Sequence, residues 1–81
     1  MKKQRLIIES IRYITGNQKA VKIQGTQKQV EIYRRALNAS KKLYESLQLK
    51  SVSLKEVESL VESKNKWANA WKSETGESWP F

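Results

Sequence analysis

The sequence predicts an all-α protein, built as a small bundle of helices. Two observations support this fold class. Thr26-Gln27-Lys28-Gln29 and Ser53-Leu54-Lys55-Glu56 both match the capping box that starts many helices. Behind each box, apolar residues recur at three- and four-residue steps, a period that places them on one face of a helix. The 81 residues suffice for one small domain, residues 1–81, which has little apolar surface to bury.

The first capping box predicts a helix over residues 27–48. Its expected buried face contains aliphatic, alanine and tyrosine side chains, with one serine among them: Val30, Tyr33, Ala36, Leu37, Ser40, Leu43, Tyr44 and Leu47. Other faces of the same helix carry Lys and Arg in two adjacent rows. Each row has a spacing of seven residues, which is about two turns. The rows are Lys28, Arg35 and Lys42, and Arg34 and Lys41.

Residues 6–24 allow two interpretations. Their isoleucine, tyrosine and threonine content favours β-strands, and Thr15-Gly16-Asn17 is a suitable hairpin turn. The apolar residues of the stretch 6–14 instead follow a helical period, with Ser10 as the polar exception. On this second interpretation, residues 18–24 form a short helix of their own. An α+β fold, with an N-terminal β-hairpin followed by two helices, therefore remains the alternative.

The second capping box predicts a helix over residues 54–74. Glutamates crowd its first turns and lysines its later ones, an order that complements the helix dipole. Its expected buried stripe, with two flanking residues at the end, is Leu54, Val57, Val61, Ala68, Trp71, Leu60 and Trp67. The tail that follows carries Trp79 and Phe81. Because aromatic side chains dominate small cores, we expect this tail to fold back; a docking peptide for a partner protein is the alternative.

The composition excludes most enzyme chemistry. The sequence has no cysteine, no histidine and no aspartate, so the usual zinc ligands and the usual general base are missing. We expect no catalytic activity, no metal or other cofactor and no small-molecule substrate. No apolar run approaches the ~20 residues that span a bilayer, and Glu9 and Arg12 interrupt the apolar stretch that a signal peptide would need. We therefore expect no membrane association and a cytoplasmic location.

The net charge of +8 is concentrated in residues 1–50, which hold twelve Lys or Arg against three Glu. Such a positive field attracts polyanions, and cations in rows can each contact a phosphate. The candidate nucleic-acid site consists of the two rows with an extension in the preceding segment: Lys28, Arg34, Arg35, Lys41, Lys42, Lys19 and Lys22. Asn38 is the one residue between the rows suited to a base edge. No aromatic residue is interleaved for stacking.

These features predict a non-enzymatic protein that binds nucleic acid through its backbone and shape. The alternative function is a protein–protein adaptor. Such an adaptor would dock an acidic partner through the basic helix or through the C-terminal aromatic residues.

The C-terminal third carries a resemblance. Lys64, Ala68 and Trp71, followed by the ending Thr75-Gly76-Glu77-Ser78-Trp79-Pro80-Phe81, resemble the ends of small proteins of T4-like phages encoded beside the UvsW helicase. The resemblance implies a four-helix bundle, similar to the helicase-and-RNase-D C-terminal module with which RecQ-type helicases grip nucleic acid. The sequence permits helices at about 3–15, 18–24, 27–48 and 54–74. The implied partners are DNA, including branched DNA, and a helicase, in phage recombination and repair within the host cytoplasm.

Overall fold

A computed structural model describes residues 2–49 and 51–81, and the side chains of residues 5–49 and 51–81. This part of the chain contains three helices and no strand. They are α1 (Lys2–Ile14), α2 (Gln27–Gln48) and α3 (Leu54–Thr75). The all-α class is confirmed. The four-helix bundle and the hairpin alternative are both wrong, because residues 18–24 form no helix and residues 6–14 form no strand.

Helix α2 lies at the centre of the fold. α1 and α3 each pack against α2, and in the described residues the Cα atoms of α1 and α3 stay more than 8 Å apart. α1 runs parallel to α2, since Ser10 contacts Tyr33 and Tyr13 contacts Asn38 further along both helices. The chain must therefore travel back along α1 before α2 begins.

The returning segment, residues 17–26, is extended rather than helical. Val21 and Ile23 both pack on the core while Lys22 between them is exposed. This alternation has the period of two that an extended chain gives, whereas a helix would point residues 21 and 23 in nearly opposite directions. An extended chain also covers about 3.3 Å per residue against 1.5 Å in a helix, which suits a return along the 13 residues of α1.

Both long helices begin at the capping residues that the sequence predicted, but only α2 has the complete capping box, since in α3 the Glu56 side chain accepts no hydrogen bond from the Ser53 N–H. Thr26 accepts a hydrogen bond from the Gln29 backbone N–H, and the Gln29 side chain accepts one from the Thr26 N–H, each at 3.1 Å. A Cβ at Gly25 would lie 2.8 Å from Gln29 Oε1, so a side chain there would disturb this cap. Ser53 caps α3 by accepting from the Glu56 N–H. Gly76 ends α3 with a left-handed φ of 76°.

The tail after α3 returns to the core, as predicted. Trp79 packs edge-to-face on Tyr33 and Trp71, with ring centroids 4.8 and 6.2 Å away, and its Nε1 donates to Ser40 Oγ at 3.0 Å. Phe81 packs on Trp79 at 5.5 Å, and Lys64 Nζ donates to the Phe81 backbone oxygen. The last five residues are therefore part of the fold, which leaves the docking-peptide alternative without exposed aromatic anchors.

The helical period of residues 6–14 outweighs their β propensity because it buries one face on α2. Ser10, the polar exception on that face, is completely buried. Its hydroxyl donates to the Leu6 carbonyl oxygen at 2.7 Å and contacts the Tyr33 hydroxyl. A serine has a single hydroxyl proton, so Tyr33 is the donor of the second hydrogen bond. The Ser10 hydroxyl therefore donates one hydrogen bond and accepts another, and the bond from Tyr33 joins α1 to α2.

This hydrogen bond predicts a change of stability at alkaline pH. Burial raises the pKa of Tyr33 above its usual value of about 10. The contribution of the protonated hydroxyl is present below that usual value and is lost as the pH rises through the raised pKa. We expect the native protein to exceed Tyr33→Phe in unfolding free energy by about 1 kcal/mol at neutral pH. Urea denaturation should show this advantage beginning to fall near pH 10, the usual pKa of tyrosine, and vanishing above the raised pKa of Tyr33; an advantage that does not fall above about pH 10 would contradict the assignment.

The predicted buried face of α2 is only partly correct. Tyr33, Ala36, Leu37 and Ser40 are buried, Val30 and Leu43 half-buried. Tyr44 and Leu47 are 38% and 59% exposed, because α1 ends at Ile14 and does not cover them. A second buried row on α2, which the sequence interpretation missed, is Ile32, Ala39 and Ser46. It lies beside Lys28 and Arg35, whose side chains contact Glu74 and Trp67 of α3, so α2 is covered by α3 on this side and by α1 on another.

In α3 the predicted stripe is half-buried, except for Leu54, which is 74% exposed. This residue is the first of the helix. Among the described residues, none of the three helices has the length and apolar character needed to cross a membrane.

Candidate nucleic-acid interface

One strip of α2 remains open to solvent between its two neighbours. We call it the basic strip, and it consists of Lys28, Glu31, Arg34, Arg35, Asn38, Lys41, Lys42 and Glu45. The structure thus brings the five predicted α2 cations onto one surface. It also places Glu31 and Glu45 among them, which the sequence interpretation did not assign to this surface. Five cations and two carboxylates leave α2 with a net charge of +3.

In the row nearer α3, Lys28 and Arg35 are engaged in weak contacts. Lys28 Nζ lies 3.3 Å from Glu74 Oε2, and Arg35 Nη2 lies 3.2 Å from Glu31 Oε1. The Arg35 guanidinium also lies 5.0 Å from the centre of the Trp67 ring on α3. Exposed ion pairs of this kind contribute about 0–1 kcal/mol each. A phosphate can therefore take the place of either carboxylate at little cost.

The row nearer α1 contains a cation with a structural role. Lys41 Nζ donates to the Tyr13 backbone oxygen at 2.8 Å and lies 5.0 Å from the Tyr13 ring centre. That oxygen belongs to the last turn of α1, where carbonyl groups lack helical partners and the helix dipole favours a cation. The Lys41 side chain is only 27% exposed, and its Nζ also lies 3.7 Å from Glu45 Oε1. Its charge is thus committed to holding α1 on α2.

Arg34 and Lys42 are the cations of the basic strip that remain available. Both are exposed, and neither forms a hydrogen bond or an ion pair with another residue of the described chain. They lie eight residues apart, which is about 12 Å along the helix axis. This distance corresponds to between three and four nucleotide steps of one strand, each about 3.4 Å along the axis of a duplex.

Lys19 and Lys22 lie on the returning segment rather than on α2. Val21 and Ile23 fix this segment to the core, so both lysines are held at the surface and are exposed. Neither has a hydrogen bond or ion pair among residues 2–49 and 51–81. The structure therefore does not join them to the basic strip by any contact, and their predicted role as an extension of the site remains a prediction.

The residues considered for contacts with bases are placed differently. Tyr13 is half-buried, and its hydroxyl donates to Asn38 Oδ1 at 2.6 Å, so both side chains are held in a contact between α1 and α2. Trp67, by contrast, lies at the rim of the basic strip beside Arg35 and was missed. The antiparallel pairing of two long helices across a short link could have indicated it, because residue 67 is then level with residue 35.

A groove opens where α1 stops and α2 continues. It has a volume of about 680 Å³, and its lining includes Ile14, Lys41, Lys42, Tyr44 and Leu49. Tyr44 and Leu49 are 38% and 65% exposed. The groove therefore combines apolar side chains with the end of the basic strip, as a protein-binding surface would.

Fold and surface together define a class: a small three-helix protein with a basic strip on its central helix. No protein-family model, no curated protein and no solved structure matches this chain.

Proposed function

We propose that this chain is a non-enzymatic nucleic-acid-binding protein that recognises the phosphate backbone through the basic strip of α2. The observation that supports this function best is the exposure of Arg34 and Lys42, two cations without an ion-pair partner among the described residues, on a helix face that carries three more. Each free cation can neutralise a phosphate and release a condensed counterion. The weakly paired Lys28 and Arg35 can add to them.

The geometry of α2 favours a backbone over a single phosphate. Lys28 and Lys42 are fourteen residues apart on this helix, about 21 Å along the axis. One strand of a duplex presents about six phosphates over that length of the duplex axis. A single small anion would meet only one end of the strip, whereas a strand can meet all of it.

The biological setting follows from the resemblance of the last third of the chain to small T4-like phage proteins. We propose on this basis a role as an accessory protein in recombination and repair, in the host cytoplasm, with a helicase as partner and branched DNA among the substrates. The three-helix fold does not add to this proposal, since the module that the resemblance implied has a fourth helix.

A binding measurement tests the proposed function. We expect the chain to bind a short labelled duplex and a four-way junction at about 50 mM salt, and binding to both to weaken by at least tenfold at about 200 mM. Fluorescence anisotropy of the labelled nucleic acid gives both affinities. Absence of binding to either probe at the lower salt concentration would contradict the proposal.

The competing proposal is an adaptor that docks an acidic protein segment. Its support is the groove at the end of α1, where Tyr44 and Leu49 lie beside Lys42. An acidic segment with apolar side chains would match both features. Tyr44→Ser with Leu49→Ser removes apolar surface and keeps the charge. This variant should bind the duplex as the native protein does if the basic strip is the working surface.

A further inference from the structure

Trp67 lies between two cations at the edge of the basic strip. The Arg35 guanidinium is 5.0 Å from the centre of its ring, and Lys66 Nζ is 5.3 Å from it. Arg35 comes from α2 and Lys66 from α3, so the indole lies where the basic surface passes from one helix to the next. Its side chain is half-buried, and the rest of the ring is open to solvent.

The other two tryptophans have a different environment. Trp71 and Trp79 pack edge-to-face with Tyr33 in the core, and Trp79 Nε1 has a hydrogen-bond acceptor. Trp67 forms no ring–ring contact and no hydrogen bond with any described residue. No buried polar atom lacks a partner in this part of the chain. The Trp67 N–H therefore reaches solvent.

An indole of this kind has more surface than its structural role requires. A cation–π contact at an exposed site contributes about 0.5–1 kcal/mol, and a smaller side chain at residue 67 would avoid leaving an aromatic ring partly in water. Proteins that bind single strands combine a cationic path for the backbone with aromatic rings on which bases stack. Trp67 beside Arg35, the residue that follows Arg34 in α2, reproduces this combination.

We propose that Trp67 is a stacking platform for an unpaired nucleobase, so that the basic strip binds single-stranded nucleic acid in preference to a duplex. This inference rests on the proposed function. Arg35 takes part because its guanidinium is planar and its side chain is 54% exposed. A base stacks on the guanidinium or replaces it on the indole, and the released cation then reaches a phosphate. In a duplex the base faces are already stacked, so Trp67 gains nothing there.

The test compares two single-stranded probes of equal backbone charge, with a duplex as a third probe. The probes are a short oligothymidylate, an abasic deoxyribose-phosphate oligomer of the same length and a short duplex. Stacking contributes about 1–3 kcal/mol per base, so the native protein should bind the oligothymidylate roughly 5- to 150-fold more tightly than the abasic oligomer. Trp67→Ala should abolish this ratio and leave duplex affinity within about twofold. Trp67→Phe should retain most of the ratio, because phenylalanine keeps a stacking surface.

The outcomes separate the inference from the proposed function. Equal binding of the oligothymidylate and the abasic oligomer by the native protein overturns the stacking role, while the proposed function stands. An equal loss for all three probes in Trp67→Ala also overturns it, since Trp67 would then only support the fold. Thermal unfolding of each variant identifies that case. Failure of the native protein to bind any probe at low salt overturns the proposed function itself.

Discussion

Reversing two charges, Arg34→Glu together with Lys42→Glu, is expected to weaken nucleic-acid binding by roughly 60-fold at about 0.1 M salt. Each phosphate contact contributes a slope of about 0.9 in the salt dependence, which is about eightfold in affinity at that concentration, and this variant removes two contacts. Both side chains are exposed and unpaired among the described residues, so the fold should be unaffected to within about 0.5 kcal/mol. Anisotropy titration with a labelled duplex gives the affinity.

The matched control changes the same number of charges elsewhere. Lys55 and Lys72 are exposed on α3 and form no ion pair with a described residue. They lie near opposite ends of the helix, so the effects of their reversal on the helix dipole oppose each other. Lys55→Glu with Lys72→Glu should weaken binding much less. Equal losses in the two double variants would mean that net charge, rather than the basic strip, determines affinity. Lys41 is unsuitable for this test because its Nζ holds the end of α1.

Truncation of the tail tryptophan, Trp79→Ala, is expected to cost about 3–5 kcal/mol of unfolding free energy. The indole contacts three aromatic rings and donates a hydrogen bond to Ser40, so its removal leaves a cavity and takes away the bond that the Ser40 hydroxyl accepts, while that hydroxyl still donates to the Ala36 carbonyl oxygen. A domain of this size has an unfolding free energy of roughly 4–12 kcal/mol in total. Chemical denaturation followed by circular dichroism should therefore show a variant that has lost at least about a quarter of its unfolding free energy, and that is unfolded if the native value lies near the lower end of this range.

Trp79→Phe provides the comparison for this loss. Phenylalanine keeps an aromatic ring in the core and loses the hydrogen bond, so we expect a smaller cost of about 1–2 kcal/mol. A stability of Trp79→Ala within about 1 kcal/mol of the native protein would show that the tail is not part of the core in solution. The docking-peptide interpretation of the tail would then return.

The two long helices could be predicted because their signals are local. The capping residues Thr26 and Ser53 precede their helices directly, and each apolar period extends over several turns. Prediction and structure agree to within one residue, 27–48 against Gln27–Gln48 and 54–74 against Leu54–Thr75. Caps and period act within one helix, so no knowledge of the rest of the fold is needed.

The returning segment could not be predicted because its conformation is set by tertiary packing. Val21 and Ile23 are extended since α1 and α2 run parallel, which requires the chain to cross back over the core. The exposure of Tyr44 likewise depends on where α1 stops. Neither the parallel arrangement of the helices nor the end of α1 can be read from the residues that it affects. The sequence of residues 18–24 alone therefore did not contradict the short helix expected there.

In the candidate site, too, the local pattern could be predicted and the effects of tertiary packing could not. The spacing of Arg34, Lys41 and Lys42 within α2 predicted that they share a surface, and they do. Their availability depends on partners from other helices, since α1 takes the charge of Lys41 and α3 supplies Glu74 to Lys28. The sequence therefore predicted the surface, while the structure distinguishes its two free cations from the engaged ones.

The salt dependence of duplex affinity is the decisive measurement for recognition of the phosphate backbone by the basic strip. With Arg34 and Lys42 alone in contact with phosphates, log affinity should fall against log salt with a slope of about −2; with all five α2 cations, the slope reaches about −4.5. In the variant Arg34→Glu with Lys42→Glu, the slope should become shallower by about 2, and in the α3 control it should not. A native slope near zero, or one that the α2 reversals leave unchanged, would contradict recognition of the phosphate backbone by the basic strip.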